Sequence, residues 1–325
     1  MSTASPVPET SEELEGDEAL ETIRRTGLLT LARDGFIRFR AADGFSHARA
    51  LAFQLTLTII PALIAVVGLA AATERDDVRR FVAETLRSVA PGPMGELLSA
   101  AIEQGSVSAA EERGEVALAL GGIVALVAGT IAMAQVERGA NRIYGLETDR
   151  SPVRRYLRAT ILATTSGALV IAALVVVVAG GALRRVAGFT HVADLVWAIA
   201  RWPVGIALLI AGTAVLYRHV PNRRQPEASW LAVGAGLSVT VWLTVTAALG
   251  AFLGRSGSLG ATYGPLAGTI GLLLWALITS LALFVGLSFS AQLEAVRAGV
   301  AAPRVETEHD SRAAVHVRTK DLPPS

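Results

Sequence analysis

Four residues at the start of the first apolar stretch are the first candidates for chemistry: His47, Gln54, Thr58 and Pro61. They follow one another at intervals of seven, four and three residues, which puts them on one stripe of an α-helix. Thr56 falls on the opposite side of that helix. An imidazole, an amide and a hydroxyl in one line, within a segment otherwise suited to lipid, make a wall that water can wet. Pro61 has no N–H for the carbonyl of Leu57, which is left to a neighbouring hydroxyl or a water. Two readings stay open. Either the stripe lines a polar cavity, or Gln54 bonds a neighbouring helix while the threonine hydroxyls bond their own backbone.

A second set surrounds the charged connections. In ERGANRIYG, Glu137–Gly145, Arg138 and Arg142 share one helical face and Glu137 and Asn141 another, with Tyr144 beyond them. In YRHVPNRRQPE, Asn222, Arg223 and Arg224 stand between Pro221 and Pro226, with Tyr217 placed as an interfacial anchor. Guanidinium and amide donors grouped this way suit an anionic lipid headgroup or a phosphate. They equally suit an inside charge anchor with its own ion pair. A third set, Gly250, Gly254, Gly260, Gly264 and Gly268, has the four-residue spacing that lets membrane helices approach closely. The same glycines also suit a flexible outer gate, and contacts within one chain or between chains. Arg201 has Asp194 two turns before it as an ion-pair partner.

Other chemistries lack their residues. There is no cysteine, hence no thiolate ligand or nucleophile. The five histidines have no metal-ligand spacing, and no GxxxxGK[ST] loop occurs. No Asp, Glu or Lys lies deep in an apolar window as a proton relay requires, and no carboxylate cluster suits a nuclease. The expectation is a protein that is not an enzyme, with no cofactor, no metal and no nucleic-acid partner.

The elements that position these residues follow from composition. Of 325 residues, 52% are hydrophobic and only 18% charged, too few charges to cover a soluble surface. A bilayer core of about 30 Å takes roughly 20 helical residues. Six such spans are expected, at about 50–72, 116–136, 159–182, 194–217, 229–253 and 265–290, within a transmembrane domain over 46–293. The fourth holds Arg201 but continues through sixteen uncharged residues. Twenty basic residues flank the spans on the side of the N-terminus and eight on the other, which places both termini in the cytoplasm. Residues 1–19 are acidic and read as disordered. No cleavable leader opens the sequence, so the first span serves as an uncleaved signal anchor. Residues 20–45 interleave apolar residues with arginines, as an interfacial helix or a helix packed on the loops would. Residues 74–115 read as two short amphipathic helices outside the membrane, and 294–325 as a cytoplasmic tail.

Four segments, ALAFQLTLTIIPAL, ERGANRIYG, LYRHVPNRR and YGPLAGTIGLLLW, occur in the order and at the span positions of a known family. The chain resembles the YihY/BrkB membrane protein family, formerly misnamed ribonuclease BN, over roughly residues 30–295. The chain departs from the family pattern at Gln54, where the family tends to have Tyr. It departs again at Ser288 and Ser290, where the family tends to carry Glu and Asn. The resemblance implies a bacterial inner-membrane protein and fixes no substrate. The sequence thus predicts an all-α, polytopic six-helix bundle with short amphipathic helices outside and at the N-terminus. Its partner is the lipid bilayer, with anionic headgroups at the rim. The expected function is transport of a lipid or other amphipathic molecule; the alternative is a non-transporting scaffold of the envelope.

Overall fold

Apolar windows of this length have one way to satisfy their backbone within lipid, and helix is the regular structure found among the described residues. The computed structural model describes residues 4–9, 14–72, 110–146, 148, 150–179, 191–255 and 266–300. The helices there are α1 Gly16–Thr26, α2 Leu28–Ala41, α3 Gly44–Ala72, α4 Ala110–Ile143, α5 Pro152–Leu174, α6 His191–His219, α7 Ala228–Arg255 and α8 Leu266–Arg297. One π-type turn, Val175–Ala179, extends α5.

Six of these carry the membrane spans: Gly44–Leu69, Gly114–Ile143, Pro152–Val177, Leu195–His219, Ala228–Phe252 and Thr269–Arg297. They pack in chain order, α3 on α4 and so on to α8, and α8 returns to α3 to close a ring. α1 and α2 lie across one end, here termed the base, with the chain from Ala4 to Glu9 beside them. The last span runs beyond its expected end because Gln292 and Glu294 find partners inside the protein. The expected outer segment 74–115 lies outside the described residues except for the opening of α4, and the tail beyond Val300 does too.

α1 opens with Glu18 accepting the Glu15 backbone N–H at 3.3 Å and stops at Gly27, whose φ of +89° suits glycine. α2 uses both of the faces that its pattern allowed. Leu31, Gly35, Arg38 and Phe39 are buried, and a Cβ at Gly35 would lie 3.2 Å from Phe289 Cα on α8. Leu28, Leu29 and Phe36 point outward, as an interfacial helix requires.

α3 and α4 form the most extensive contact in the chain. The polar stripe is part of it. A Cβ at Gly139 would lie 3.3 Å from His47 Cβ, one at Gly129 3.7 Å from the Thr58 methyl, and one at Gly121 3.0 Å from the Pro61 carbonyl oxygen. Thr56 and Thr58 donate to the carbonyls of Ala52 and Gln54, at 2.9 and 2.8 Å. Three residues of the stripe, His47, Thr58 and Pro61, thus lie against glycines of α4, which bring the two backbones together. The glycines that bring the backbones of two spans together include Gly68, Gly121, Gly234 and Gly286. Gly250, expected to pack, faces open space. Gly254 and Gly268 fall in terminal turns of α7 and α8, and Gly260 and Gly264 lie outside the described residues.

Two adjacent glycines separate packing from helix propensity. A Cβ at Gly121 would lie 2.7 Å from Ala65 N, whereas one at Gly122 meets nothing within 4 Å. Gly121→Val should lower stability by about 1–3 kcal/mol, and Gly122→Val should leave it nearly unchanged. Unfolding in detergent, followed by helicity, reads both; equal effects would discard the close-contact account.

Candidate functional site: a buried charged network at the base

Burial of charge at the base begins with Arg223 and Glu294. Arg223 sits in the α6–α7 connection and donates to Glu294 on α8, and their side chains are 1% and 0% exposed. Arg223 also stands over the Tyr144 ring, 4.9 Å from its centroid, in a cation–π contact. Arg38 reaches the same region from α2. Its Nε donates to Gln292 Oε1 at 2.9 Å, and its Nη1 to the carbonyls of Ser5 at 2.8 Å and Ile143 at 3.2 Å. α2, α4, α8, the α6–α7 connection and the N-terminal segment thus meet at one polar centre.

The environment shifts these groups in ways that keep them hydrogen-bonding. Burial pulls the Arg38 guanidinium down to about 10, opposed by Tyr144 and Glu294, so it is a cation at neutral pH. Burial pushes the Tyr144 phenol up, with Glu294 adding to the effect, so it keeps its proton. Arg38 Nη2, the Tyr144 hydroxyl, Gln292 Nε2 and Glu294 Oε2 are buried without a protein partner among the described residues.

A second layer ties the connections together. Arg150 pairs with Glu137 at 3.0 Å and donates to the carbonyls of Val220 and Pro221 at 2.8 and 2.7 Å. Burial lowers Arg150, and Glu137 counters this. The backbone N–H of Asn222 donates to Asn141 Oδ1 at 2.8 Å. Arg218 and Glu227 close the short loop between α6 and α7 with a paired contact at 2.7 and 2.9 Å. Beside them Arg138 donates to Gln135 Oε1 at 3.0 and 2.7 Å, and the Gln135 amide meets His47 Nδ1 at 3.3 Å.

The seven rim residues expected from sequence therefore lie near one another, but not as an open edge. Asn141, Tyr144 and Arg223 are buried; Arg138, Arg142 and Asn222 are half-buried and Arg224 is exposed. Three expectations change. Residues 1–19 contain an ordered stretch, because Ala4 and Val7 donate backbone hydrogen bonds to Arg142 and Tyr144 and, with Leu14, bury their side chains. Tyr217 is an internal residue whose hydroxyl donates to the Leu283 carbonyl at 2.6 Å, not an interfacial anchor. Carboxylates are buried after all, at Glu137 and Glu294. Glu294 escapes a window search because it lies one residue beyond the uncharged run 256–293, Gln292 because it carries no charge within that run, and Arg38 because it stands among the other arginines of α2. The apolar residues around them, Ile37 and Phe39, Leu293 and Ala295, are the signal that marks them as interior.

A family model described as Virulence factor BrkB matches residues 36–311. The ribonuclease-like protein YfkH of Bacillus subtilis (strain 168) is 26% identical over 271 residues, covering 82% of this chain and 95% of YfkH. No solved structure matches the chain.

Removing one member of a buried pair leaves the other uncompensated, at a cost of about 3–5 kcal/mol, whereas apolar replacement of both is near neutral. Glu294→Ala should therefore destabilise strongly, and Arg223→Met combined with Glu294→Leu should recover most of the loss. Denaturant unfolding of purified protein measures this. A double variant as unstable as the single would mean that the pair contributes through something other than mutual charge compensation.

Proposed function

The chain belongs to the BrkB family of multi-pass membrane proteins, and from that premise we propose a transport-type function for a lipid or other amphipathic molecule with an anionic head. The observation that carries this reading is the shared burial of Arg38, Arg223 and Glu294 at the base of the ring. Apolar residues of the same volume would hold the helices together as well or better. Ionisable groups inside a membrane protein point to use on a polar ligand. The excess of basic residues on the N-terminal side supports reading this base as the cytoplasmic face of a bacterial inner membrane. Arg138, Arg142 and Arg224, which are not fully buried, offer its entrance a positive rim for headgroups.

A scaffold reading is favoured by a different observation. The stripe of the first span is spent on contacts with α4, and its threonines bond their own backbone. On that reading Gln54→Leu is silent in any activity. An enzyme reading has less support. The word ribonuclease belongs to the name of YfkH, and no three His, Asp or Glu gather as a metal-holding group among the described residues.

Reconstitution into vesicles with a fluorescent phospholipid decides between transport and scaffold. The protein should speed exchange of the lipid between leaflets, read by a quencher added outside. The Arg223→Met, Glu294→Leu double variant, in which no buried charge is left uncompensated, should slow that exchange by about tenfold. Exchange no faster than in protein-free vesicles, for lipids of either headgroup charge, would leave the scaffold reading standing.

A further inference from the structure

The segment Ala4–Glu9 is held in a slot whose donors are of the kind that take phosphate. Arg38 Nη1 donates to Ser5 O at 2.8 Å. Arg223 Nη1 and Nη2 donate to Val7 O at 3.1 Å and Pro8 O at 3.2 Å. The backbone N–H of Arg224 donates to Glu9 Oε1 at 3.1 Å. Each acceptor is an oxygen placed on a guanidinium or amide, the donor set that recognises phosphate and carboxylate. Two guanidiniums face one carboxylate, Glu294, so the slot itself keeps a positive balance.

The slot is also shaped for a backbone to slide in. Gly145 has φ +76°, and a Cβ there would lie 2.6 Å from Pro6 Cα and 2.7 Å from Ala4 O. Only glycine admits the segment at that distance. The segment buries only two small apolar side chains, Ala4 and Val7, and its main chain makes most of the contacts. It can leave without opening a large apolar cavity. Beside it, Arg38 Nη2, the Tyr144 hydroxyl and Gln292 Nε2 are further buried donors with no protein partner among the described residues.

We infer that Ala4–Glu9 is a displaceable strap occupying a phosphate-binding slot made by Arg38, Arg223 and the Arg224 amide, its carbonyls standing where phosphate oxygens bind. The inference deepens the transport reading and rests on it only for a lipid headgroup as the natural source; free phosphate has the same chemistry.

The absence of cysteine makes the test direct. Ser5 Oγ is buried without a partner among the described residues, so Ser5→Cys is a conservative reporter. The full chain carrying it is placed in zwitterionic lipid discs and exposed to a water-soluble thiol reagent. Labelling should be slow, and Val7→Pro, which removes a strap N–H, should speed it about tenfold. Glu9→Ala, a milder release at the surface, should speed it severalfold and covers the case in which Val7→Pro fails to fold. Inorganic phosphate should then accelerate labelling beyond sodium chloride of equal ionic strength, and Arg223→Lys, which keeps a charge beside Glu294 but loses the guanidinium fork, should weaken that response severalfold. Acceleration only in discs of anionic phospholipid would assign the slot to a headgroup. Fast labelling of the parent, or no change in the folded release variants, overturns the strap. Release without any response to phosphate or anionic lipid overturns the phosphate slot. Either failure is separate from the vesicle exchange assay, which does not depend on the strap.

Discussion

The contact between Arg223 and Glu294 sets the terms for the base of this protein. A carboxylate and a guanidinium taken out of water lose hydration worth several kcal/mol each. They recover it through tight geometry and through the neighbours that take their remaining donors, although Glu294 Oε2 meets no protein partner among the described residues. The connection between α6 and α7 must therefore be short and fixed, and Arg218, Glu227 and Arg150 fix it. α8 must continue as helix past the apolar limit of its span, and it does so to Arg297. Tyr144 must present its face to the guanidinium, which places the end of α4. Each demand is met by a different part of the sequence, so the pair couples parts that otherwise have no reason to meet.

The ring above the base follows simpler rules. Its helices are held by close backbone approach at glycine, as expected where lipid offers no hydrophobic drive between helices, and many of their hydroxyls are satisfied on their own turns. Ser238 is different: it donates to the Ala282 carbonyl at 2.9 Å and joins α7 to α8. Buried positions of α4 gather between Thr130 and Tyr144, whereas residues 115–127 are mostly exposed. Firm packing thus sits at the base, next to the charges.

What could be read from the sequence divides along the same line. Span number and order depend on long uncharged runs, a one-dimensional property, and the helices match them. The residues of the rim were legible as a set because their charges cluster in two short segments, the end of α4 and the α6–α7 connection. Their burial was not, since it comes from Arg38 and Glu294, 256 positions apart in the numbering and joined only by folding. The same limit explains the stripe of the first span. Its period was readable, but the partner it faces depends on Gly121, Gly129 and Gly139 of another helix. The N-terminal stretch looked unable to bury enough to become ordered, and within itself it cannot. Its order is borrowed from carbonyl and guanidinium groups contributed by distant segments.

That borrowing has a consequence for how the molecule comes to be made. Residues 4–9 are synthesised before all of their partners, which include Arg142, Tyr144 and Arg223, and through Arg223 they rest on Glu294. The hydrogen bond from Arg223 to Val7 spans 216 positions, and that from Arg38 to Gln292 spans 254. Loops of that length close late, after the elements between them are in place. The stretch therefore waits while the six helices assemble, and it settles only once the last of them has arrived. A chain halted before α8 leaves this stretch without the pair on which its contacts rest.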